Sequence, residues 1–108
     1  MAMTVRNIAA LVKAGRKNAP LRSALELWRQ VAEASTWSSL IELRRTFPSA
    51  DGVTVDVGRG IKIVVTVFNI KGNEYRLISV VNYAAATVLV MDVLTHAEYG
   101  KDRWKDRL

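Results

Sequence analysis

The chain has 108 residues, half of them hydrophobic, with sixteen Lys and Arg against ten acidic residues and a formal net charge of +6. That length fits one domain, 1–108, burying roughly two-thirds of its unfolded surface, and no apolar run approaches the ~18 residues of a membrane span. Without cysteine there are no disulfides or thiolate metal sites, and a single histidine leaves a zinc site short of ligands.

Thr4 and Val5 favour a short strand within Met1–Arg6. A helix is predicted over about Asn7–Arg16, with Ile8, Leu11 and Val12 inward and Gly15 near its close. Leu21, Ala24, Leu25, Trp28, Val31 and Ala32 recur at helical spacing and put one apolar stripe on a helix of about residues 19–34. Asn18 is placed to cap it, and Pro20 falls in the first turn, where its missing N–H costs nothing. Ser39 and Glu42 have capping-box spacing for a short helix reaching Thr46, which Pro48 ends. Ser49–Gly60, with Asp51-Gly52 and Gly58-Arg59-Gly60, reads as a loop or an irregular hairpin.

From Ile61 the pattern turns to β. The β-branched run Ile61–Phe68 is followed by Tyr75–Tyr83 and Thr87–Leu94. Connections this short imply an antiparallel meander, since parallel neighbours need a crossover of about a dozen residues. Helices first and sheet second give an α+β class, with the helices packed on one sheet face. Lys101–Arg107, mixing four cations with Asp102 and Asp106, reads as a solvated terminal helix, and Trp28, Trp37 and Trp104 as core or interface residues.

Gly72-Asn73 as the centre of a hairpin supplies residues that accept positive φ. That register sets Lys71 against Glu74, Ile70 against Tyr75 and Asn69 against Arg76, with Asn69 and Arg76 on the face of Val67 and Ile78. The next strand returns to the same end near Leu94–His96, so Arg76 and His96 should converge with Lys71 on the adjacent turn. The positive balance points to a polyanionic partner, nucleic acid foremost, and it is concentrated in residues 1–47 at +5 against +1 in residues 48–108. The N-terminus shows no uninterrupted apolar segment or cleavage site, so a cytoplasmic location is expected.

Asn69-Ile70-Lys71-Gly72-Asn73-Glu74-Tyr75-Arg76-Leu77-Ile78, then Asn82-Tyr83, then Leu94-Thr95-His96-Ala97-Glu98-Tyr99, resembles the signature of HigB-type toxins, and Trp28, Trp37 and Phe47-Pro48-Ser49-Ala50-Asp51 fit the same family upstream. These are host-inhibition toxins of the RelE/ParE-like superfamily. The resemblance implies a RelE-like α+β fold and a ribosome-dependent mRNA endoribonuclease that works without a metal or other cofactor. It also implies a helix-turn-helix, HigA-like antitoxin that binds the toxin in a hetero-oligomer on operator DNA, with no membrane partner. Glu74 stands where the family often has lysine, Met91 and Asp92 where it often has arginine, and Gly100 where an aspartate is usual. These departures keep a second reading open: a non-nucleolytic or attenuated relative that acts by binding a protein target or its antitoxin.

Metal-free RNA cleavage uses the ribose 2′-OH as nucleophile and needs proton transfer and cationic stabilisation of the phosphorane. Arg76 is the candidate for the phosphate, because a guanidinium fork can bind two oxygens. Lys71 is a second charge, His96 a candidate acid or base, and Tyr99 a group to position the nucleophile or hold the ribose. Asn69, Asn73, Lys101, Arg103 and Lys105 are candidates for contacts to RNA around that centre.

Overall fold

A computed structural model of the chain describes residues 1–108. Its element order is β1 (Thr4–Arg6), α1 (Ile8–Gly15), α2 (Ala19–Glu33), α3 (Leu40–Thr46), β2 (Asp51–Gly58), β3 (Ile61–Ile70), β4 (Tyr75–Asn82), β5 (Thr87–Thr95) and α4 (His96–Gly100), closed by a 3-10 helix at Arg103–Arg107. Four α-helices and a five-stranded mixed sheet make an α+β protein, consistent with a RelE-like fold. No helix is long and apolar enough to cross a membrane.

The helix caps follow from the sequence. The Asn18 side chain accepts from the Leu21 N–H at 3.1 Å and so satisfies a free donor in the first turn of α2. Ser39 accepts from the Glu42 N–H at 3.2 Å, but Glu42 reaches back to Ser38, not to Ser39 itself, so the expected capping box is displaced by one residue. Leu21, Leu25, Trp28 and Ala32 of α2 are buried, while Ala24 and Val31 are only partly covered. In α1 Leu11 is inward as expected, whereas Val12 is 56 % exposed, because Leu11 and Gly15 form the face that meets the core.

Strand order is β1-β5-β4-β3-β2, and the meander β3-β4-β5 forms its centre as predicted. Both outer strands extend that picture. Ser49–Gly60, expected as a loop or an irregular hairpin, instead holds the regular strand β2, which pairs antiparallel with β3 along its length, with a bulge between Asp56 and Gly58. Asp56 closes that turn by accepting from the Gly58 N–H at 2.8 Å, and Arg59 and Gly60 take positive φ. The short N-terminal strand is real, but it runs parallel to β5, with Val5 opposite Val88. The sheet is therefore mixed, not wholly antiparallel as expected from the short connections. The three helices between β1 and the meander provide the crossover that a parallel pairing needs.

Two cores lie on opposite sheet faces. The larger joins the helices to one face through Leu21, Leu25, Trp28, Leu43, Phe68 and Leu77, and Phe68 meets Trp28 and Phe47 edge-on at 5.2 Å. The smaller packs Val55, Val65, Val67, Ile78 and Leu94 under Trp104. The segment expected to be solvated thus carries a side chain only 2 % exposed that covers the second face. All three tryptophans are core residues.

Candidate functional site

The site forms where the β3–β4 turn meets the end of β5. Asn69 pairs with Arg76 and Ile70 with Tyr75, as the sequence register requires. In the turn it is Lys71 and Gly72, not Gly72 and Asn73, that adopt positive φ, at 53° and 65°. Asn73 is thereby left free to turn its amide onto the guanidinium of Arg76, three residues on. Across the second hairpin Tyr75 faces Thr95 and Arg76 faces Leu94. A bulge in β5 between the partners of Ile78 and Ser79 absorbs the register that Ala84-Ala85-Ala86 left open. The His96 N–H then donates to the Glu74 carbonyl at 2.8 Å, which fixes the start of α4 against the turn.

Arg76 is 9 % exposed. Its Nη1 donates to the Asn73 and Tyr75 carbonyls at 3.1 and 3.2 Å. Its Nη2 contacts Asn73 Oδ1 at 2.6 Å and His96 Nδ1 at 3.0 Å. The guanidinium carbon lies 5.7 Å from the centre of the Tyr99 ring. Tyr99 stacks in turn on Trp104 at 5.3 Å and 15°, and the Trp104 indole N–H donates to the Tyr99 carbonyl at 3.0 Å. Arg76, His96 and Tyr99 therefore form one continuous group, while His96 itself is open to solvent.

The remaining expected site residues sit around this centre in different ways. Lys71 is adjacent on the turn, but its Nζ is 2.9 Å from the Glu74 carboxylate. Asn69 reaches the wall of a groove of about 350 Å³ beside α2, which Leu27, Trp28 and Ile70 also line. Lys101 and Arg103 are exposed near α4, and Lys105 pairs with Asp102 at 3.4 Å while lying over the Trp104 ring. Asp92 is turned to Arg107 at 2.6 Å, so it is occupied by the C-terminal segment and adds no free anion beside Arg76. No three His, Cys, Asp or Glu side chains come together anywhere in the chain.

Trp104, as the platform beneath Tyr99, has no sequence signal beyond its being a large aromatic in a charged tail. The short helix that presents His96 and Tyr99 does have one: Thr95 and Glu98 form a full capping box, Thr95 Oγ1 accepting from the Glu98 N–H at 3.1 Å and Glu98 from the Thr95 N–H at 2.9 Å. The hydrogen bond from that Thr95 N–H holds the Glu98 carboxyl below the usual carboxylate range, helped by Arg107 and Lys101.

Residues 21–102 match the family model described as HigB_toxin, RelE-like toxic component of a toxin-antitoxin system. A search among curated proteins finds no match. The matched range holds the β3–β4 turn, Arg76, His96 and Tyr99, and leaves out only β1, α1, the start of α2 and the C-terminal 3-10 helix.

Proposed function

The chain belongs to the HigB family of RelE-like toxins, the toxic components of toxin–antitoxin systems, and from that premise we propose that it is a ribosome-dependent mRNA endoribonuclease. Membership implies an antitoxin partner, and in this reading the antitoxin is a HigA-like helix-turn-helix protein that joins the toxin on operator DNA. The observation that carries the nuclease reading is Arg76. A guanidinium this buried is bonded to two carbonyls, an amide oxygen and an imidazole, with no carboxylate in contact. An uncompensated buried charge is costly to maintain, and it creates a positive field where an anionic phosphorane would gain most from it.

The chemistry is attack of the ribose 2′-oxygen on the adjacent phosphorus with departure of the 5′-oxygen, which restricts the substrate to RNA. Arg76 supplies the charge, His96 the group at the open side of the site, and Tyr99 a face for the ribose or base. Lys71 serves as a second cation once RNA phosphate competes with Glu74 for it. Asn69, Lys101, Arg103 and Lys105 contact the RNA or ribosome around this centre. Induction of the protein should arrest growth and generate new mRNA 5′ ends, and Arg76→Ala or His96→Ala should abolish both. The Lys71–Glu74 pair favours one rival, a toxin that binds a protein target without cutting RNA. Growth arrest with intact transcripts would decide for that rival.

A further inference from the structure

The hydrogens of Arg76 can be counted. A guanidinium has five N–H donors and no acceptor, four of them on the two Nη atoms. The carbonyls of Asn73 and Tyr75 take those of Nη1, and Asn73 Oδ1 and His96 Nδ1 take those of Nη2. Only the Nε–H remains. The fork that would grip two phosphate oxygens is therefore already closed on the chain's own acceptors, and the group is almost wholly covered.

The contact with His96 has a further consequence. Because Nη2 can only donate, Nδ1 must accept at 3.0 Å, and the ring hydrogen then sits on Nε2. Nε2 is the nitrogen away from Arg76, on a residue that is exposed. It has no lone pair with which to take a proton, and giving up its hydrogen would leave an anionic ring. What it can do is donate a hydrogen bond and keep the proton.

We propose that Arg76 and Asn73 are positioning residues that hold His96 as a fixed Nε2–H donor to a non-bridging oxygen of the scissile phosphate, an assignment that rests on the nuclease reading. In this scheme the 2′-oxygen bonds to phosphorus as the bond to the 5′-oxygen breaks. The 2′ proton passes to water, the 5′-oxygen takes a proton from water, and His96 holds the phosphoryl oxygen throughout. Asn73 matters because its side chain and its carbonyl grip both Nη atoms, so the orientation of the guanidinium, and through it the ring, depends on one turn residue.

His96 is the only histidine, so 15N-histidine labelling gives a single pair of ring nitrogens by NMR. The expected spectrum of the whole protein shows a lone-pair nitrogen at Nδ1 and an N–H nitrogen at Nε2, and Asn73→Ala shifts both towards a tautomer average. In a cleavage assay on programmed ribosomes, His96→Ala should lose about 100-fold or more in kcat. His96→Gln, whose amide N–H reaches near the Nε2 position, should stay within about tenfold of the parent, since one donor replaces another. Asn73→Ala should lower kcat with KM unchanged. A lone pair found on Nε2, or a Gln variant as inactive as the Ala variant while the parent still cuts mRNA, overturns the donor assignment and leaves the nuclease reading intact. A parent that cuts no RNA overturns the nuclease reading and the phosphate contact together, and is told apart by a tautomer that remains as expected.

Discussion

Replacing Trp104 with alanine tests both the second core and its link to the site. The indole is 2 % exposed and closes a cluster of only six buried residues on the face opposite the helices. Burying an aromatic of this size removes about 150–250 Å² from water, worth roughly 4–6 kcal/mol at about 25 cal/mol per Å² as an upper figure. The indole N–H bond to the Tyr99 carbonyl adds about 1 kcal/mol. Partial collapse of the short C-terminal segment into the gap recovers some of this, so the expected loss is about 4 kcal/mol. That is a large share of the ~5–15 kcal/mol available to a domain, and it should lower Tm by about 15 °C. Circular dichroism during urea and thermal unfolding measures it. Trp104→Phe, which keeps most of the packing and drops the N–H bond, should lose about 2 kcal/mol. A loss below about 1 kcal/mol for Trp104→Ala would mean that the segment does not hold its place on the sheet, and the platform beneath Tyr99 would fall with it.

Gly15→Ala should destabilise the protein even though alanine is favoured in helices by about 1 kcal/mol. A Cβ there would meet Arg22 Cβ at 2.8 Å and its Cα at 3.0 Å, so the net change in a urea midpoint should be a loss of about 1–2 kcal/mol; a gain would show that α1 and α2 separate freely. Asn18→Ala removes both the α2 cap and the partner of the Tyr75 hydroxyl at 2.8 Å, and should cost about 2 kcal/mol in the same assay. Glu98 has a lowered folded pKa, so its ionised carboxylate adds stability above the ordinary carboxylate value of about 4.3 and loses it as pH falls through the folded value. Because the group is exposed, the advantage over Glu98→Gln should be under ~1 kcal/mol at neutral pH. That gap should close in acid, and one that persists there would refute the capping-box cause.

The parts legible in the sequence were those set by neighbours a few residues apart. Asn18 and Ser39 cap as predicted because a cap needs only a side-chain oxygen and the N–H groups just ahead of it. The Asn69–Arg76 register followed from one short turn. The convergence of Arg76 and His96 followed from that register and the direction of β5. What escaped depends on distant partners. The strand β2 has Val53, Val55 and Val57 alternating, but Asp51-Gly52 before them and Gly58-Arg59-Gly60 after them give the same local signal as a loop. The parallel seat of β1 is decided by the free edge of β5, more than eighty residues away. Trp104 reads as a core or interface residue in the sequence, but the sheet face it covers is visible only once Leu94, Ile78 and Val55 are seen beneath it.

Glu74 shows how a residue can be read correctly by type and incompletely by role. As an anion beside the site it does what its charge suggests and neutralises Lys71 at 2.9 Å. Its backbone does something independent of the side chain: the carbonyl receives the His96 N–H and so ties the turn to α4. The pairing removes one cation from the open surface yet leaves Arg76 untouched, because Arg76 is bonded to neutral acceptors and no carboxylate reaches it. The positive field at His96 therefore comes from the buried guanidinium and not from the turn lysine. An exposed ion pair is worth little, so in the proposed nuclease reading Glu74 would tune how strongly RNA is held at the turn. The charge that would act on the reaction is kept below the surface, out of its reach.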